Sequence, residues 1–229
     1  MGEINKTIIG IDFSINSTSI CVRNDNKYQY FSFVANYKKD RAPFKIHDAI
    51  NDLVMICPYE KLPTSKDSIQ DSKNKIQNAH TLSKLILRIL TIESTIIGTP
   101  DIRLEGFSFA SKGNSFIDLI MFNSFLRCKL MEKWGNCISV IPPKTNKKAY
   151  SGNGNANKWI MLNSFLENTD SPLQKRLIEL GLKRDAEFEI GKPVDDLVDA
   201  ISLAEFSFEK EDILKVENVG KKKVKSKLL

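Results

Sequence analysis

The sequence predicts an α/β domain, a mixed five-stranded sheet with helices on both faces. Three observations predict it. The chain opens on an apolar strand-like run, Thr7-Ile8-Ile9-Gly10-Ile11, followed by two shorter strand-like segments joined by turn residues. Beyond them, stretches with helical spacing alternate with short apolar runs, the order that adds parallel strands through crossovers. Several acids also end apolar runs, where burial alone would not select them. With 229 residues, 41% of them hydrophobic, the chain can bury one sizeable core, assigned to residues 1–208.

Residues 6–13 are apolar on both faces and read as a central strand. Thr18–Arg23 and Tyr28–Val34 follow, paired as a hairpin through Asn24-Asp25-Asn26-Lys27. Phe44, Ile46, Ile50, Leu53 and Val54 repeat at helical spacing, so 44–56 reads as a helix. From Tyr59 to Asn78 the chain is polar, and 57–78 is expected to be a polar loop or insertion. Leu82–Ile97 is strongly helical and closes on Gly98-Thr99-Pro100. A strand through Ile102-Arg103-Leu104-Glu105 precedes a helix from Asn114 to Trp134 that is apolar nearly all round. A helix without a polar face is buried on more than one side. One side can cover the sheet, and the other needs the 44–56 region or a second subunit. Cys137–Ile141 is the fifth strand, stopped by Pro142-Pro143. Helices over 155–168, 172–182 and 193–209 complete the domain, the last with Pro193 in its first turn.

Composition narrows the function classes. The net charge is +6, concentrated in a tail over 209–229 whose last thirteen residues hold five lysines against Glu217. Such a tail is a solvated end, an arm that adds phosphate contacts, or both. Cys21, Cys57, Cys128 and Cys137 show no C-x-x-C pairing, and neither His47 nor His80 lies near one, which argues against structural zinc and for reduced thiols. No apolar run is long enough to span a bilayer, so the expected setting is cytoplasmic with no membrane partner.

The informative residues are four carboxylates: Asp12, Glu105, Asp196 and Asp199. Asp12 and Glu105 each end a strand. Asp196 and Asp199 lie three apart on an apolar helix and so share a face, while Asp195 points about a quarter-turn away and reads as a cap. Singly, each has an ordinary explanation, since strand-end acids form turns and first-turn acids suit a helix dipole. Together they would meet at one sheet edge, and four clustered acids repel one another unless cations bind. Hard oxygen ligands at such an edge suit two Mg²⁺ held about 3.5–4 Å apart around a phosphodiester.

Groups suited to nucleic acid surround them. Lys144, Lys147 and Lys148 precede a loop with Gly152 and Gly154, which leads to a helix N-terminus at Lys158; it is a phosphate cradle or an ordinary Gly/Asn loop. Phe107, Phe109 and Lys112 follow Glu105, with the aromatics available for stacking on an unpaired base or for core packing.

These residues together resemble the RuvC family of Holliday junction resolvases, which have a ribonuclease H-like fold. Ile9-Gly10-Ile11-Asp12 is similar to the family's opening strand. Leu104-Glu105-Gly106-Phe107 with Ala110-Ser111-Lys112-Gly113-Asn114-Ser115 is similar to its second carboxylate and the following loop. Lys147 and Gly152-Asn153-Gly154-Asn155-Ala156-Asn157-Lys158 match its Lys…G-x-G-x-A-x-K stretch, and Asp196-x-x-Asp199-Ala200 its terminal D-x-x-D-A helix. The resemblance spans roughly residues 6–208. It implies a homodimeric, Mg²⁺-dependent endonuclease, with Mn²⁺ able to substitute, that nicks branched DNA symmetrically. It implies metal-ligand roles for Asp12, Glu105, Asp196 and Asp199, and phosphate-contacting roles near the cut for Lys147 and Lys158. Phe13-Ser14 departs from the family's usual Pro-Gly, and Ser108 stands where the stacking aromatic is expected. These departures and the Asn/Lys/Ile-rich composition look more like a phage or viral member.

Three rivals remain at the level of sequence. An actin- or sugar-kinase-type ATPase also begins Ile-Gly-Ile-Asp, but needs two domains and leaves Asp196 and Asp199 unexplained. A related ribonuclease H-like nuclease acting on flaps, forks or RNA–DNA hybrids shares the metal site. A purely DNA-binding module gains nothing from an anionic cluster.

Overall fold

The computed structural model describes residues 6–38, 47–107, 113–182 and 192–205. The elements are β1 (Ile8–Asp12), β2 (Ser17–Asn24), β3 (Lys27–Ala35), α1 (His47–Ile50), β4 (Val54–Tyr59), α2 (Ser68–Ile92), β5 (Asp101–Glu105), α3 (Asn114–Trp134), β6 (Ile138–Ile141), α4 (Pro143–Ser151), α5 (Lys158–Asn168), α6 (Pro172–Glu179) and α7 (Val194–Glu205). The six strands form one sheet in the order β4-β3-β2-β1-β5-β6. β1, β2 and β3 run antiparallel; β5 and β6 add in parallel on the far side of β1. That arrangement is ribonuclease H-like.

The sheet separates two cores. Because side chains alternate along a strand, Ile9 and Ile11 of β1 face one core with Ile102 and Leu104 of β5, covered by α2 and α3. Ile8 faces the other core, where α7 packs across β1 and β2 with α5 behind it. Gly10 shares the face of Ile8, and it is what lets α7 close. A Cβ at position 10 would lie 2.0 Å from the Ala200 carbonyl oxygen and 2.8 Å from the Ala204 nitrogen. The helix backbone therefore rests directly on the central strand.

Three expectations are corrected. The sheet has six strands, because Val54–Tyr59 is a strand and not the end of a helix. Residues 47–50 do form a helical turn, and 39–46 lie outside the described residues. Val54, Cys57 and Tyr59 are buried and Met55 is 41% exposed, a pattern that fits a half-covered edge strand able to tolerate Pro58. The segment 57–78 is not loop throughout. Its last eleven residues belong to α2, whose N-cap Asp67 accepts hydrogen bonds from the Ile69 and Gln70 nitrogens. That first stretch of the helix stands in solvent, so it lacks the apolar stripe that marks the later turns, and the helix ends at Ile92 rather than 97. Residues 143–151 form α4, with Pro143 at its first turn and Asn146 and Tyr150 buried. The last helix is described to Glu205, and the basic tail lies outside the described residues.

α3 spans the expected residues. Phe122, Leu126 and Leu130 are buried against the core and α2, while Ile117 is 64% exposed. Among the described residues no helix is long and apolar enough to cross a membrane, and all four cysteines are free thiols.

Candidate active site

The four acids converge for reasons already present in the strand alternation. β1 and β5 run parallel with Ile11 opposite Leu104, so Asp12 and Glu105 emerge side by side at the same sheet edge. Both belong to the alternate set with Gly10 and Arg103, which faces α7; the Arg103 guanidinium donates to the Leu203 carbonyl on that helix. On α7, Asp196 and Asp199 are three apart and turn the same face toward the strand ends. The close approach permitted by Gly10 completes the cluster.

Its electrostatics follow from crowding. The Asp12 carboxyl is pushed well above the usual carboxylate range by burial, then by the charges of Glu105, Asp196 and Asp199. Burial, then the charge of Asp199, raises Glu105 to about 7, while a hydrogen bond with Asp12 and the charge of Lys147 oppose the rise. Burial raises Asp199 to about 6, with Lys147 the strongest opposing charge. Asp196 is raised by burial and Asp195, and its partners hold it down: Ser17 Oγ donates at 2.6 Å and Lys192 Nζ at 2.9 Å, both to Oδ2.

A cavity of about 300 Å³ opens beside the cluster, lined by Glu105, Asp199, Lys147, Phe107 and Asn123 among others. Phe107 meets Phe116 edge-on at 5.7 Å, and the Arg127 guanidinium lies 5.4 Å from its ring centre. Lys147 is thus brought to the acids by α4. Lys158 is not directly on them: it pairs with Asp195, whose side chain is buried. Asp195 is the partner of a lysine as well as a helix-end acid. Lys144 is not among the residues lining the cavity, and the two glycines have structural tasks. Gly152 ends α4 in the left-handed conformation, φ 74°, and Gly154 packs against the Lys144 carbonyl, where a Cβ would sit 3.1 Å from the oxygen. The helix start after this loop is capped by Asn157, which accepts from the Ile160 nitrogen. Phe109 and Lys112 lie outside the described residues.

Sequence reading missed Ser17 and Lys192. Lys192 stands four residues before Asp196, whereas Ser17 is remote from that acid in the chain. A lysine one helical turn upstream of the D-x-x-D pair was the available signal; for Ser17, 179 residues from Asp196, there was none.

The residues present fit hard divalent cations. The donor set is all carboxylate oxygen, and Asp199 Oδ1 is buried without a hydrogen-bond partner, which leaves a lone pair to be satisfied. Among the described residues no three His, Cys, Asp or Glu side chains are already closed to ligand geometry.

This crowding makes stability depend on pH in a definite direction. Groups whose native pKa is raised bind protons more tightly when folded, so their stabilisation is full below the unfolded value and is lost as pH rises through the native one. For Glu105 and Asp199 the window runs from about pH 4 to about 7. In EDTA the melting temperature is expected to fall between pH 5 and 8, by about 2–4 °C per kcal/mol lost. Mg²⁺ restores it at pH 8 and has little effect at pH 5. Asp199→Asn flattens the EDTA profile. A melting temperature indifferent to Mg²⁺ at pH 8 contradicts the assignment of these acids as ligands.

No family model matches the chain, and no curated protein matches it. Several solved structures are similar to it, two RuvC structures among them. The RuvC structure of Thermus thermophilus is 16% identical with a TM-score of 0.43, covering 86% of this chain and 90% of that one. T. thermophilus RuvC in complex with Holliday junction substrate is 15% identical with a TM-score of 0.43, covering 87% and 90%. The fold class stands on the strand order and register of the chain itself.

Proposed function

We propose that the chain is a metal-dependent endodeoxyribonuclease that cuts branched DNA, four-way junctions above all, by paired symmetric nicks. The observation that supports this most is the meeting of Asp12, Glu105, Asp196 and Asp199 at one sheet edge, with a buried carboxylate oxygen left unpartnered. The four sequence motifs shared with junction resolvases support the choice of substrate.

Asp12, Glu105, Asp196 and Asp199 would hold two Mg²⁺, whose charge would activate a water and stabilise the leaving oxygen. The chain's own residues do the rest. Ser17 and Lys192 fix the Asp196 carboxylate by two hydrogen bonds to one oxygen, leaving the other available. Lys147, whose charge already acts on Glu105 and Asp199, would neutralise charge developing on the scissile phosphate. Lys158, itself exposed and paired with the buried Asp195 carboxylate, would exchange that partner for a DNA phosphate. Phe107 lines the same cavity and would offer an aromatic surface to an unpaired base. Symmetric nicking needs two such sites, and the exposed Ile117 and Ile120 on α3 support a second subunit docked on that helix.

The test is cleavage of a synthetic four-way junction beside matched linear duplex, flap and RNA–DNA hybrid, in Mg²⁺ and in EDTA. Paired nicks in the junction alone, from a dimer in solution, are expected. Metal-dependent cutting of flaps or hybrids by a monomer would keep the site and replace the substrate.

A further inference from the structure

The acids stand between two depressions. On one side lies the Lys147 cavity. On the other, a groove of about 600 Å³ begins at Ser17 and Lys192, the two residues that hold Asp196, and runs past Asn16, Asn36 and Lys61. A second depression of about 510 Å³ shares Asn36 and Lys61 with it and continues to Lys38. Among the described residues, the charged ones lining the two are Lys38, Lys61 and Lys192 against a single acid, Glu60.

The outer wall of this groove is built, not draped. It is the segment after β4, and side chains of α2 hold its backbone. Buried Asn78 makes two hydrogen bonds to Leu62, accepting from its nitrogen at 2.8 Å and donating to its carbonyl at 3.0 Å. Asn74 donates to the Pro63 carbonyl at 2.9 Å. At the floor, Asn36 takes a left-handed turn, φ 49°; its backbone nitrogen donates to the Tyr59 carbonyl, and its side-chain oxygen accepts from the Lys61 nitrogen at 2.9 Å. Lys61 Nζ then reaches across to Asn16 Oδ1 at 2.9 Å. A cationic groove of mixed polar and apolar lining is therefore preformed beside Ser17 and Lys192, and its ammonium donors match phosphate oxygens.

We infer that this groove binds the sugar-phosphate backbone of the cleaved DNA strand where it leaves the acids on the Ser17–Lys192 side, with Lys61 as its central phosphate contact. The inference rests on the nuclease reading above and extends it: α2 and the edge strand β4 serve as a strand guide. The backbone then passes from Lys147, over the acids, into the groove.

Binding of a labelled four-way junction by the full chain in EDTA, over a range of salt, tests this. Each lost phosphate contact lowers the slope of log affinity against log salt by about 1. Lys61→Glu and Lys61→Ala are expected to weaken binding severalfold and lower the slope by about that amount, and Lys61→Arg to restore both. Lys175→Glu, which changes charge on α6 beside Asp170, leaves both as in the wild type. Ethylation interference maps the contact: phosphates on one side of the cut should lose their effect in Lys61→Ala. If the wild type binds and cuts junctions but the Lys61 variants keep its affinity, slope and interference pattern, the groove assignment is overturned alone. If the wild type neither binds nor cuts any DNA, the nuclease reading fails and the groove reading with it.

Discussion

Asp12→Asn is expected to fold, to bind a four-way junction as well as the wild type does, and to cut it at least about 10³-fold more slowly. The size follows from what is removed. A catalytic metal contributes several kcal/mol of transition-state stabilisation, and each 1.36 kcal/mol is tenfold in rate. Asp12 ends the central strand and shares its edge with Glu105. Asparagine keeps the shape and one carbonyl oxygen but removes the charge needed to hold a divalent cation. Folding should not suffer, because burial and three neighbouring acids already disfavour that charge. The variant should melt at or above the wild-type temperature at pH 8 in EDTA, which separates lost ligation from lost structure. Junction cleavage at the wild-type rate would remove Asp12 from the site, and the nuclease reading would lose its centre.

Gly10→Ala is expected to cost about 3 kcal/mol or more, a large effect for one methyl group. The added Cβ would sit 2.0 Å from the Ala200 carbonyl oxygen, far inside contact distance, and the obstacle is helix backbone. No rotamer relieves it, so α7 must lift from β1 and carry Asp196 and Asp199 away from Asp12. Activity should therefore fall together with stability. Ala200→Gly should fail to rescue the variant, because the collision is with the carbonyl and not the Ala200 methyl. Gly98→Ala provides the contrast: φ is +67° but nothing lies within 4 Å, so only the backbone cost of about 1–2 kcal/mol applies. Urea melts of the three variants decide the matter. A Gly10→Ala variant as stable as Gly98→Ala would mean that α7 does not seat on the strand as described.

These two residues also mark how far the sequence could be read. Asp12 was legible because an acid ending an apolar run contradicts burial and so demands another reason. Glu105 and the pair on α7 were legible in the same way, and the i, i+3 spacing placed that pair on one face. β1 to β3, β5, α3 and β6 were legible because each is marked within its own residues, by alternation, by a short continuous apolar run or by a long apolar stretch between stop signals. α2 was half legible. Its later turns bury Leu82, Ile86 and Leu90, whereas the turns after Asp67 face solvent and carry no stripe. β4 was misread because an edge strand covered on one side keeps only part of the alternation, and Ile50, Leu53 and Val54 mimic a helical repeat.

The sequence by itself determined the α/β class, the order of most elements and the identity of the four acids, since those depend on local periodicity and on residues out of place in it. Only the tertiary structure decided that Ser17 and Lys192 share one oxygen of Asp196, that Lys158 pairs with Asp195, and that Asn78 pins a polar segment into the wall of a groove. Such contacts join residues up to 179 positions apart. Their partners are chosen by how α7 and α2 pack on the sheet, and no period within either segment records that choice.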